Sequence, residues 1–202
     1  MFTFNPFNIV RNNSKNQIIL DSWCYLNRIK IRGYNNKIII KNSTFKLNKI
    51  EISGNNNILV IDGARIITNS SFIIKDNNNS ISIGKNTGIS KSRIVCCGNN
   101  EKIDIGDDCM FADGVEIWNC DTHSIIEKDS RKRLNFAGSI IIENHIWLCR
   151  GVNILKNVTI HENTVIGVNS IVTKGMYDRN SLYVGIPAKK VKNNIDWDME
   201  RL

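Results

Sequence analysis

Residues 142–172 read IENHIWLCRGVNILKNVTIHENTVIGVNSIV, and within them Ile142, Leu148, Ile154, Ile160, Ile166 and Val172 recur at a strict six-residue step. An α-helix repeats its apolar face about every 3.6 residues and a flat strand every two, so this step matches neither element alone. It matches short strands joined by turns, each strand sending one aliphatic side chain inward. Three such strands close a triangular coil of about eighteen residues, and stacked coils share hydrogen bonds and one aliphatic core.

The same step recurs upstream at Ile105, Phe111 and Ile117, and at Ile61, Ile67 and Ile73. Before those, Asn-rich corners mark longer coils: Gly33-Tyr-Asn-Asn, Gly54-Asn-Asn-Asn, Asp76-Asn-Asn-Asn and Gly98-Asn-Asn-Glu, spaced by 21 or 22 residues. Each precedes a β-rich run such as Lys37-Ile-Ile-Ile or Ile58-Leu-Val-Ile. Asn and Gly absorb the positive φ that sharp corners need; an exposed recognition ladder of asparagines is the alternative. The pattern predicts one all-β domain over residues 1–202. Irregular Asn-rich coils fill 20–100, regular six-residue coils 101–175 and a cap 176–202. The repeat breaks between Asn119 and Ser139, which predicts a loop protruding from the prism. The last ten residues leave the pattern and predict a short helical segment anchored by Trp197. Pro187 is expected to end the last strand.

The chain carries a net charge of +8 and a pI near 9.2. Such a surface suits nucleic acid, anionic lipid, CoA phosphates or acidic glycans, or is simply solvated. No aromatic-plus-basic signature points to nucleic acid. No apolar run reaches the ~18 residues of a membrane span, and the first residues lack the charge-then-apolar order of a signal peptide. The six cysteines include no C-x-x-C pair, and Cys96 and Cys97 are adjacent. Reduced thiols and a cytoplasmic location are the expectation.

The run Ile142-Glu-Asn-His-Ile-Trp-Leu, with Gly151-Val-Asn-Ile-Leu, Val165-Ile-Gly-Val-Asn-Ser-Ile-Val-Thr-Lys and Val184-Gly-Ile-Pro-Ala-Lys, resembles the CoA-binding half of the hexapeptide-repeat sugar O-acetyltransferases. The element Asp121-Thr-His123-Ser-Ile looks most like the capsule and polysialic acid branch; the galactoside and maltose enzymes are more distant. The strong part of the match covers roughly residues 100–192. The resemblance implies a left-handed parallel β-helix, an exception to right-handed crossovers. It also implies acetyl transfer from acetyl-CoA to a sugar hydroxyl without a metal, and a homotrimer with active sites between subunits. Two departures stand out. Arg150 follows Leu148-Cys149 where the family often has glycine and a small residue. Ser92 is the nearest position to the family's acceptor-binding Asn.

His123 matches the family's catalytic base. A sugar hydroxyl needs its proton removed as it attacks a thioester, and an imidazole suits that task near neutral pH. Asp121, two residues earlier, either holds the imidazole tautomer or caps a turn. Cys120 adds the weaker option of a Cys–His nucleophile pair. Trp147, twenty-four residues after His123, matches a tryptophan near the acetyl or acceptor end of the site. Its neighbour Leu148 faces inward, so Trp147 faces outward. Trp118, beside inward Ile117, is a candidate for the acceptor pocket by the same alternation. Val168, Thr173 and Lys174 match contacts to CoA, and Arg150, Lys189 and Lys192 complement its phosphates. Arg131 and Arg133, with Lys132, either hold a carboxylated sugar or form a solvated loop. His145 and His161 raise a three-histidine metal site on the same fold, but their offsets within the repeat differ, so no shared metal is expected. Two other readings remain at this stage: a non-catalytic trimeric binding or scaffold protein, and an N-acetyltransferase of an amino sugar.

Overall fold

The structure is a computed structural model that describes residues 7–200. The six-residue step becomes a three-sided parallel β-helix. In one coil, Lys102–Ile105 lies on a first face, Met110–Phe111 on a second and Glu116–Trp118 on a third. The next coil repeats the order with Ile140–Ile142, Trp147–Leu148 and Asn153–Ile154. Val158–Ile160, Val165–Ile166 and Ile171–Val172 follow. Like faces pair in parallel, as in Ile103↔Ile140↔Val158 and Ile117↔Ile154↔Val172. Face three is an eight-stranded sheet. Faces one and two form a second sheet, joined where the long strand Lys37–Lys46 pairs first with Ile58–Asp62 and then with Ile66–Thr68. The stacking therefore continues through the N-terminal half, where the sequence step is least regular. Ile9–Arg11, inside the twenty residues whose sequence matches no motif, pairs with Arg28–Arg32 and opens face three.

The core is a column of aliphatic side chains. Ile38, Ile61, Ile67, Ile103, Ile117, Ile140, Leu148, Ile154, Ile160, Ile166 and Val172 are fully buried. Each fully buried aliphatic contributes about 1.5–3 kcal/mol. In the wider coils Phe45 and Phe72 fill the extra space, their ring centroids 6.0 Å apart.

The Asn-rich corners do structural work. Asn36, Asn57 and Asn79 are buried, and each side-chain oxygen accepts the backbone N–H one coil on: Asn57 N to Asn36 Oδ1, Asn79 N to Asn57 Oδ1, Glu101 N to Asn79 Oδ1, all 2.8–2.9 Å. These bonds satisfy backbone groups that a corner takes out of the sheet ladder. Asn35, Asn56, Asn78 and Asn100 take positive φ beside them. Gly54, at φ +134, is forced: a Cβ there would lie 1.7 Å from the Asp76 carbonyl oxygen.

The chain end corrects one expectation. No helix forms among the described residues. Lys189–Asn193 turns back and pairs antiparallel with Ser181–Val184, and residues 194–200 run on without regular structure. Positive φ at Gly185 and Asn194 brackets that strand, and the exposed edge of Ser181–Val184 offers it backbone partners. Trp197 is the expected anchor. It stacks on His145 at 4.3 Å and donates its indole N–H to the His145 carbonyl at 2.9 Å.

Candidate active site

The excursion over 119–139 leaves the edge between faces three and one. Its base is closed by Gly138 N–H donating to the Asn119 carbonyl at 2.9 Å. Asn119, fully buried, bonds Cys97 through both ends of its amide, at 2.7 and 2.9 Å. Beyond the base the loop is a small hairpin: Leu134 N–H donates to Ile125 O, and Glu127 N–H to Lys132 O, both at 2.8 Å.

His123 sits on the outer limb, exposed. Its N–H reaches back to the Asp121 carbonyl at 2.6 Å across Thr122, which takes φ 59°. A β-branched residue rarely accepts that angle, and such strain persists only where the surroundings impose it. They do so through Asn135, the one residue of the loop's outer part that is buried. Its amide donates to Asp121 Oδ2 at 2.7 Å and to the His123 carbonyl at 2.8 Å, and accepts the Ile125 N–H at 2.6 Å. From the next coil, Lys156 pairs with Asp121. The Lys156 hydrogen bond holds the Asp121 carboxyl below its ordinary range; burial, the next largest effect, opposes it, and the Asn135 hydrogen bond and the charges of Lys156 and Arg133 add to the lowering. The imidazole itself has no hydrogen bond or ion pair among the described residues. Asp121 thus fixes the loop rather than the ring.

The other candidates distribute over the prism. Thr173 and Lys174 follow Ile171–Val172 on the same edge as His123, two coils on. Trp118 points outward from face three just before the loop, its indole N–H on Glu116 at 2.6 Å and the Arg93 guanidinium 5.4 Å from its ring. Arg150 and exposed Val168 lie in register on the edge between faces two and three. Trp147 faces outward from face two, opposite the His123 edge, and packs against Trp197 at 5.9 Å. Lys189 and Lys192 lie on the antiparallel strand that extends face two. Arg133 bonds the Asn135 carbonyl at 3.0 Å, while Arg131 occupies the exposed hairpin tip at φ 58°.

Two expectations change. Ser92 is 3% exposed, its hydroxyl donating to Ser90 O at 2.9 Å, so it offers no surface to a sugar. It belongs to an inner ladder with Ser70, whose Oγ accepts the Ser92 N–H. Cys97 and Cys120 are joined in a disulfide, Cα atoms 6.0 Å apart, so they are not free thiols and Cys120 is no nucleophile. Stacking brought them together: the residue after one face-three strand lies above the start of the excursion one coil on, a closeness that sequence distance hides. Cys24, Cys96 and Cys109 remain free and buried, their thiols pushed up to about 12 by burial. His145 and His161 do not meet: His145 is under Trp197, and His161 Nδ1 is 3.0 Å from Glu143. Asn135 and Lys156 carried no sequence signal. Both act across the loop, which only the fold assembles.

No protein-family model matches the sequence. A polysialic acid O-acetyltransferase of Neisseria meningitidis is 38% identical over 96 residues, 48% of this chain and 45% of that protein. The chain thus aligns with less than half the length of such curated relatives. Crystal structures reach further. That of the polySia-specific acetyltransferase NeuO superposes with a TM-score of 0.81 at 31% identity, covering 96% of this chain and 89% of that one. That of the polysialic acid O-acetyltransferase OatWY gives 0.84 at 32%, covering 97% and 91%. Sharing the left-handed β-helix and nearly a third of its residues with these proteins across almost their full lengths, the chain belongs to the hexapeptide-repeat sugar O-acetyltransferases.

Proposed function

We propose that this protein transfers an acetyl group from acetyl-CoA to a hydroxyl of a polysaccharide, with His123 as general base. The observation that carries this reading is the treatment of His123. Its backbone is pinned by Asn135 and a strained turn, while its imidazole stays exposed and unpaired among the described residues. In the reaction, His123 takes the proton of the acceptor hydroxyl as the oxygen bonds to the thioester carbonyl carbon. A backbone N–H stabilises the oxyanion. Collapse breaks the carbon–sulfur bond, and the imidazolium returns its proton to the departing thiolate.

Relatives named for polysialic acid make a carboxylated glycan the first acceptor to try. Arg131 and Arg133 on the same loop suit its carboxylates. The donor would run along the later coils, past Val168, Thr173 and Lys174, with Arg150, Lys189 and Lys192 toward the phosphates. In one chain these groups lie on different edges, and Trp147 lies opposite the His123 edge. A homotrimer that sets the His123 edge of one copy against the Trp147 face of another would unite them. A cytoplasmic location follows from the donor. Among the described residues no helix is long and apolar enough to cross a membrane.

The test is thiol release from acetyl-CoA across neutral, amino and acidic sugars and polymers. Sugar-dependent release that falls by about 10²–10⁴-fold in His123→Ala, with CoA binding retained, is the expected result. Near-wild-type turnover in that variant would remove His123 as the base. Transfer confined to amino sugars would turn the reading to N-acetylation.

A further inference from the structure

Face three carries the protein's charge unevenly. Its outward positions from Arg28 to Val95 are Arg28, Lys30 and Arg32, then Lys49, Glu51 and Ser53, then Ser71, Ile73 and Lys75, then Arg93 and Val95. Strand pairing places Arg28 directly opposite Lys49, and Arg11 opposite Lys30. Like charges in register destabilise a sheet. Glu51, the one acid among these positions, pairs with Lys49 at 3.1 Å and lies across from Lys30. Arg28, Lys30, Arg32 and Lys75 have no ion pair among the described residues. On face one the outward residues over the same coils are Lys37, Ile39 and Lys41, then Ile58, Val60 and Asp62, then Ser80 and Ser82, then Lys102 and Asp104; there Lys41 lies across from Asp62 and Lys102 pairs with Asp104 at 2.6 Å.

The surface is also shaped. A groove of about 440 Å³ is lined by Arg11, Arg28, Lys30, Lys49 and Glu51. A second of about 200 Å³ continues it past Arg32, Ser53 and Lys75. Strands stack about 4.8 Å apart, so the stripe from Arg28 to Trp118 spans roughly 19 Å. Its far end is Arg93 over the Trp118 ring, and directly after Trp118 the chain enters the loop that carries His123.

We propose that this face binds an extended carboxylated polysaccharide and leads it to His123, so that the acceptor is held several sugar units from the reacting hydroxyl. The proposal rests on the acetyl-transfer reading. The occupant follows from charge and form. Repeated carboxylates match cations spaced along a line, and guanidinium groups grip carboxylates bidentately. A second copy of this face would bring the same cations together. A nucleic acid would want aromatic platforms spaced among them, and the outward positions of the stripe hold a single aromatic, Trp118, at its far end.

The test is equilibrium binding of end-labelled polysialic acid to the full chain without acetyl-CoA, which reads the surface separately from catalysis. The triple variant Arg28→Glu, Arg32→Glu, Lys75→Glu should bind about tenfold or more weakly. Its KM for polymer should rise comparably, while kcat and the KM for a single sialic acid unit stay within about twofold. The triple Lys37→Glu, Lys41→Glu, Lys85→Glu removes the same charge elsewhere and should bind within about threefold of wild type, as should His123→Ala. Thermal unfolding checks that the variants fold. The proposal is overturned if the native chain does not bind the polymer, or if both triples weaken it equally. It is overturned too if a sulfated glycan or an oligo-dT of equal charge binds as tightly, which would mean general attraction to polyanions. Polymer binding lost in the first triple, without thiol release by any protein, would keep the surface and reject the transfer reading.

Discussion

Replacing Asn135 by Ala should uncouple the His123 loop from an intact β-helix. Asn135 makes three hydrogen bonds, at 2.6–2.8 Å, one of them to the Asp121 carboxylate. A neutral bond contributes about 1 kcal/mol net and one to a charged group about 1.5–3, so the loop loses about 3–5 kcal/mol of local stability. The strained turn at Thr122 then relaxes, because among the described residues nothing else holds the His123 carbonyl. The coils are untouched, since Asn119 and the Gly138 bond still close the loop's base. Each 1.4 kcal/mol is a factor of ten, so amide exchange at 121–136 should speed up by about 10²-fold or more while the strands keep their protection. The rate constant kcat should fall with the productive loop population, and KM for acetyl-CoA should change little. Asn135→Asp gives a sharper signature. It sets a second carboxylate beside Asp121 and removes both amide donors, so exchange in the loop should slow again as pH falls and one carboxyl takes a proton. Native exchange over 121–136 together with native kcat in Asn135→Ala would refute the reasoning.

Other outcomes follow from single contacts. Gly54→Ala drives a Cβ into the Asp76 carbonyl from a left-handed backbone, and should cost more than about 2 kcal/mol in chemical unfolding. The Asp121 carboxyl is lower in the folded loop than when unfolded, so its contribution is present above about pH 4 and is lost as pH falls through the folded value. Loop proteolysis should rise there in the native chain and show no such rise in Asp121→Asn. Trp197→Ala removes the ring stacked on His145 and packed on Trp147. Trp147 emission should shift to the red as the tail releases, with the midpoint of unfolding little changed.

Much of this was legible in the chain. A six-residue step can be satisfied only by a three-strand coil, so the pattern from Ile142 to Val172 determined the architecture and its inward residues. The Asn- and Gly-rich corners announced positive φ, and the break at Asn119 announced the excursion. Sequence also singled out His123, because a lone histidine at the break of a rigid repeat has the right chemistry in an exposed place. Only the tertiary structure could decide relations across coils. Asn135 and Lys156 are 12 and 33 residues from His123, yet stacking and the hairpin bring their bonds to the same turn. Cys97 meets Cys120 and Ser92 is buried for the same reason. The terminal helix failed because the last described residues are held from outside their own segment, Ile195 N–H on the Asn180 carbonyl and Trp197 on His145, which local propensity does not see. The cationic stripe is likewise invisible along the chain. Arg28, Lys49, Lys75 and Arg93 look like scattered charges until parallel stacking, one coil every 21 or 22 residues, places them on one face.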